Sequence, residues 1–142
     1  MELERTIRVA RPIEKVFAYL ADFRTTTEWD PGTVLTTRVS GDGGVGSVYA
    51  NRGTFMGRRN DLTYVVEELE PFRRIALRGS NATVLAYHSL DLAALGAGTI
   101  VTYRVTFELS GAARLLGPLL SSPMGRLGDA GATGMKAALN RI

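Results

Sequence analysis

The sequence predicts an α+β domain in which a curved antiparallel sheet wraps around one C-terminal helix. Three observations lead to it. From Thr33 to Leu109 the chain runs through segments of strand character, broken at short intervals by turn signals. Only one stretch before them, from Pro12 to Ala21, carries apolar residues at helical spacing. The tail from Ser110 to Ile142 is rich in Leu and Ala and reads as helix. Strands that follow one another through short turns favour an antiparallel meander, and a helix after them must be buried against the sheet.

The elements justify themselves in order. Glu2 to Ala10 alternates, with Leu3, Ile7 and Val9 on one face and Glu2, Glu4, Thr6 and Arg8 on the other, which suits a strand. Pro12 fits the first position of a helix continued by Ile13, Val16, Phe17 and Leu20. A second short helical turn is expected towards Trp29, ended by Asp30-Pro31-Gly32. Six strands follow: Val34–Ser40, Val45–Phe55, Asn60–Leu69, Arg74–Arg78, Ala82–Leu92 and Thr99–Leu109. The clearest hairpin loop is Gly41-Asp42-Gly43-Gly44. With the first strand the sheet has seven strands, and residues 1–142 read as one domain.

Composition narrows the function classes. The chain has 142 residues, 45% hydrophobic, with 17 basic and 14 acidic residues interspersed for a net charge of +3. No basic stripe with interleaved aromatics is present, so no nucleic-acid partner is expected. There are no cysteines, which excludes disulfides and thiol chemistry. With one histidine besides, the N and S ligands of a zinc site are missing, and no metal is expected. No stretch approaches the roughly 18 apolar residues of a membrane span, and the charged N-terminus is not a signal peptide. A cytoplasmic protein without integral membrane association is the expectation. The glycine-rich Gly41–Gly46 joins two strands and lacks the Lys-Ser/Thr of a phosphate loop. No dinucleotide fingerprint or nucleophile elbow occurs, so no cofactor is implied.

Several stretches together carry a family resemblance. They are the opening RVARPIEKVFAYLADFRTTTEWDPG, then Gly46-Ser47-Val48-Tyr49, Tyr64 through Pro71 with Arg73-Arg74, and Gly98-Thr99; the tail LLGPLLSSPMGRLGDAGATGMKAAL fits as well. Over essentially its whole length the chain resembles the START/Bet v 1-like superfamily (SRPBCC), in its polyketide cyclase/dehydrase-type branch. That resemblance implies a helix-grip fold, with the sheet gripping the C-terminal helix around an apolar cavity. Members bind lipids, sterols, polyketides or plant hormones, and a minority catalyse cyclisation or dehydration. The fold does not decide between these, so the site must be argued from residues.

Strand alternation selects the side chains that face such a cavity. In the last strand Val101, Tyr103, Val105, Phe107 and Leu109 form the inward set. In the strand before it Val84, Ala86, His88, Leu90 and Leu92 do, which places the only histidine inside. Leu62, Tyr64, Val66 and Glu68 follow in the strand from Asn60, and Tyr49, Asn51 and Phe55 in the strand from Val45. The polar centre is then Tyr49, Tyr64, His88 and Tyr103, with Asn51 or Glu68 beside it. Desolvation would hold His88 neutral. Neutral imidazole can act as a base while a tyrosine hydroxyl donates to a carbonyl or enolate, which makes His88, Tyr64 and Tyr103 the catalytic candidates. The blander reading is a polar group or two in an apolar ligand pocket. Trp29, at the expected cavity mouth, either stacks on a ligand or caps the core.

A straight helix of some thirty residues would run about 45 Å, longer than a small sheet is wide. Pro118 and Pro123 therefore predict a break, with a leading segment Arg114–Ser122 and a main helix Met124–Arg141. Leu115, Leu116, Leu119 and Leu120 would form an apolar lid, with Met124 below. Gly125, Gly128, Gly131 and Gly134 recur every third residue, and a face so small either lets the sheet approach or leaves room for a guest. The sum is a binding protein for a lipid, isoprenoid or polyketide-like molecule, a monomer or weak homodimer. The alternative is a polyketide cyclase/dehydratase using His88 and the tyrosines. The ligand contacts would come from Trp29, Tyr49, Tyr64, His88, Tyr103, Phe107, Leu116, Leu120 and Met124.

Overall fold

The computed structural model describes residues 1–142. The order is β1 (Glu2–Val9), α1 (Ile13–Ala21), a 3-10 turn (Phe23–Thr25), α2 (Thr26–Trp29), then β2 (Thr33–Ser40), β3 (Val48–Phe55), β4 (Arg58–Glu70), β5 (Arg74–Ser80), β6 (Val84–Leu95) and β7 (Gly98–Leu109). A second 3-10 segment (Gly111–Leu116) leads into α3 (Gly117–Leu139). All seven strands join one antiparallel sheet in the order β1-β7-β6-β5-β4-β3-β2. The expected helix-grip fold is present. No helix is long and apolar enough to cross a membrane.

The core lies between the sheet's concave face and the helices. Ile7 and Val9 of β1, Val101 and Val105 of β7, and Leu90 and Leu92 of β6 point into it, as alternation requires. Val16, Phe17 and Leu20 of α1 meet them, as do Met135, Ala138 and Leu139 of α3. At about 25 cal/mol per Å² of apolar surface removed from water, this cluster is the principal stabilising term.

Four expectations need correction. Glu68 does not face inward: β4 carries a bulge between Val66 and Glu68, and the extra residue turns Glu68 outward to pair with Arg74. Pro12 caps α1 in an extended conformation instead of opening its first turn. The tail does not break at Pro123. One helix runs from Gly117 to Leu139, with Pro118 in its first turn, where no intrahelical donor is needed, and Pro123 accommodated inside. The separate leading segment is the short 3-10 turn that ends at Leu116.

The four tail glycines divide into two kinds. A methyl at Gly134 would collide with the carbonyl oxygen of Trp29, and one at Gly128 would press on Leu3 at 3.2 Å. At Gly125 and Gly131 nothing lies within 4 Å of that position. Gly128 and Gly134 thus bring α3 against β1 and α2, whereas the buried Gly131 leaves volume unfilled.

Candidate functional site

A cavity of about 650 Å³ lies between the sheet and α3. Its walls are mostly apolar: Leu62, Val84, Val105 and Phe107 from the strands, Met124 and Leu127 from α3. Leu116, Leu119 and Leu120 lie along it opposite the β3–β4 turn at Phe55 and Met56. Leu119 is 73% exposed and Met56 65%, so these residues mark the mouth.

At the polar end, His88 sits between two tyrosines. Its Nε2 is 3.1 Å from Tyr64 Oη and its Nδ1 is 3.2 Å from Tyr103 Oη. The register explains how residues on three strands converge. Tyr64 on β4 faces Gly79 on β5, which faces Ala86 on β6. A side chain at Gly79 would overlap the Tyr64 ring, so glycine lets that ring lie across β5 and reach His88. Tyr103 comes from β7, where it faces Leu90, diagonal to His88. Phe23 closes the floor, its ring centroid 4.8 Å from that of Tyr64 and 6.1 Å from that of His88.

Burial sets the electrostatics. It lowers the His88 pKa to about 4, so the imidazole is neutral at physiological pH. It raises both phenols above their ordinary value, and the nearby Asp30 charge adds to that. Asp30 is itself pushed up by burial, opposed by hydrogen bonds from Gly32 N and Thr33 Oγ1. Neutral imidazole has one donor and one acceptor. One tyrosine therefore donates to His88 and the other accepts from it, and the accepting tyrosine keeps a free O–H.

A second polar group lines the cavity on β3, one strand from Tyr64. Asn51 Nδ2 donates to Thr33 Oγ1 at 2.9 Å and to Thr36 Oγ1 at 2.8 Å. Thr36 Oγ1 is 2.6 Å from Thr26 Oγ1, which donates to the Phe23 carbonyl. Sequence reasoning placed Asn51 inward and read Asp30 only as a turn signal. The clue to Asp30 was its place in a Trp-Asp-Pro-Gly turn between a buried aromatic and a strand.

Of the expected ligand contacts, Tyr64, His88, Tyr103, Phe107, Leu116, Leu120 and Met124 line the cavity. Trp29 and Tyr49 do not. Trp29 is buried behind Tyr103, edge to face at 5.7 Å between ring centroids, because α2 is drawn in where Gly134 admits its carbonyl. It caps the core. Tyr49 is fully enclosed against Phe23, and its hydroxyl has no partner. No group of three or more histidine and acidic side chains is placed to hold a metal ion.

A sheet closed over one long helix around a lined cavity defines the class: helix-grip proteins. The family model described as polyketide cyclase/dehydrase and lipid transport matches residues 1–140, and the chain belongs to that family. No curated protein matches the chain. Among solved structures it is similar to a START superfamily protein from Mycobacterium smegmatis (14% identity, 99% of this chain and 97% of that one, TM-score 0.83). It is also similar to the Zhui aromatase/cyclase from Streptomyces sp. R1128 (20% identity, 99% and 94%, TM-score 0.79). A third is a protein from Thermus thermophilus (17% identity, 98% and 97%, TM-score 0.82). At these identities the likeness is one of fold.

Proposed function

We propose that the protein binds a hydrophobic small molecule, a lipid, isoprenoid or polyketide-like compound, in the cavity between the sheet and α3. The observation that carries this is the Tyr64–His88–Tyr103 array at one end of a mostly apolar space of about 650 Å³. Apolar walls supply the affinity, and the free tyrosine O–H supplies a fixed point for one ligand oxygen.

The second reading is a cyclase/dehydratase, favoured by the family's description and by the likeness to an aromatase/cyclase. Both His88 nitrogens are occupied by hydroxyls, so a proton taken from a substrate would reach the imidazole through a tyrosine. The decisive experiment is extraction and mass identification of what co-purifies with the protein, followed by titration of that compound into wild type and His88→Ala. A carrier retains affinity within a few-fold, whereas an enzyme still binds but loses most of its turnover. An apo protein that takes up no apolar compound refutes both.

A further inference from the structure

We infer that the cavity selects ligands that carry a hydroxyl, because the wall around Asn51, on the strand beside Tyr64, offers an acceptor and has no hydrogen left to donate. This rests on the cavity-binding reading above. The direction of every hydrogen bond along that wall is fixed by where the chain ends. Thr26 Oγ1 gives its hydrogen to the Phe23 carbonyl, which has none to return. Thr26 must then accept from Thr36, and Thr36 in turn from Asn51. On the other branch Thr33 gives its hydrogen to Asp30 Oδ2 and accepts from Asn51.

Both amide hydrogens of Asn51 are thereby spent, whatever the charge on Asp30. Turning the amide around would set its oxygen 2.8 Å from Thr36 Oγ1, whose hydrogen is already given to Thr26. Asn51 Oδ1 accepts nothing within the protein, although the residue is only 9% exposed. Tyr49 Oη is the one sealed side-chain polar atom lacking a partner, so the equally unpaired Asn51 Oδ1 is not sealed. It lies 3.5 Å from the absent Cβ of Gly53, and both residues line the cavity. A buried acceptor left bare is costly, and a ligand O–H aimed at Oδ1 removes that cost. An alcohol or phenol supplies that hydrogen to Asn51 Oδ1. A ketone or ether has no hydrogen to give it.

The test compares β-naphthol with its methyl ether, which keeps the ring and the oxygen and lacks only the donor. Calorimetric titration of the wild-type protein is expected to show β-naphthol binding about tenfold or more tightly, the cost of one buried acceptor left unpaired. Asn51→Ala should bring the two affinities together, largely by weakening the naphthol. Equal affinity for the pair in the wild-type protein overturns the inference and leaves the cavity reading standing. A preference that survives in folded Asn51→Ala overturns the assignment to Oδ1. Binding of neither compound overturns the cavity reading, and the inference falls with it. The wild-type comparison decides even where the variant fails to fold.

Discussion

The enclosed imidazole makes the protein's stability depend on pH in a way that one substitution isolates. His88 has a pKa of about 4 in the folded chain, against an ordinary 6.5. Between those values the unfolded chain binds a proton that the folded chain refuses, so stability is intact above the unfolded pKa and is lost as pH falls towards the folded one. The whole shift is worth about 3 kcal/mol, and about 2 kcal/mol of it is gone by about pH 5. Asp30 acts in the opposite sense. Burial raises its carboxyl pKa, so its contribution falls as pH rises from its ordinary value to its raised one. A bare pH profile therefore mixes the two. His88→Phe retains Asp30 and a ring of similar size while removing the titration. Urea denaturation of both proteins at about pH 8 and about pH 5 gives the difference directly. Wild type should lose about 2 kcal/mol more than the variant over that interval. Equal losses would refute the enclosed neutral imidazole.

Three substitutions test the packing. Gly134→Ala drives a methyl into the Trp29 carbonyl and should destabilise by at least about 1 kcal/mol, even after the gain in helix propensity. Gly131→Ala meets open space, should stabilise by up to about 1 kcal/mol, and should weaken binding of bulky guests. The same sign for both in chemical denaturation contradicts the division of the glycine face. Tyr49→Phe removes a sealed hydroxyl without a partner and should raise stability by about 1 kcal/mol in thermal melts. A fall of that size instead would reveal a partner for the hydroxyl.

Much of the site could be read from alternation, because period two holds as long as pairing is regular. β6 and β7 pair without interruption over Val84–Leu95, and the inward placing of His88, Tyr103 and Phe107 followed. Glu68 failed one residue past a bulge, which leaves no local mark in Val-Val-Glu-Glu. Inward and cavity-lining are also different properties. Tyr49 is inward but covered by Phe23, and that depends on where the 3-10 turn lies over the sheet. Trp29 depends on a contact with Gly134 from the far end of the chain. Pro123 misled because its rule concerns an isolated helix, whereas α3 is held from Met124 onward by burial of Met124, Met135 and Leu139. Reading Asn51 as an acceptor required the hydroxyl directions of three threonines, which no spacing encodes.

The sheet order also sets a sequence of events in time. β2 to β7 can assemble hairpin by hairpin as the chain is made, but β1 pairs only with β7, with Glu2 opposite Thr106. Such distant pairing slows folding, and α3, which rests on β1, is made after all seven strands. The cavity is therefore among the last features to exist. A guest present while the chain folds can be enclosed as α3 docks, without ever passing the mouth between Leu119 and Met56. What co-purifies then records the surroundings in which the protein folded, and protein refolded from denaturant in a clean buffer is the proper empty reference.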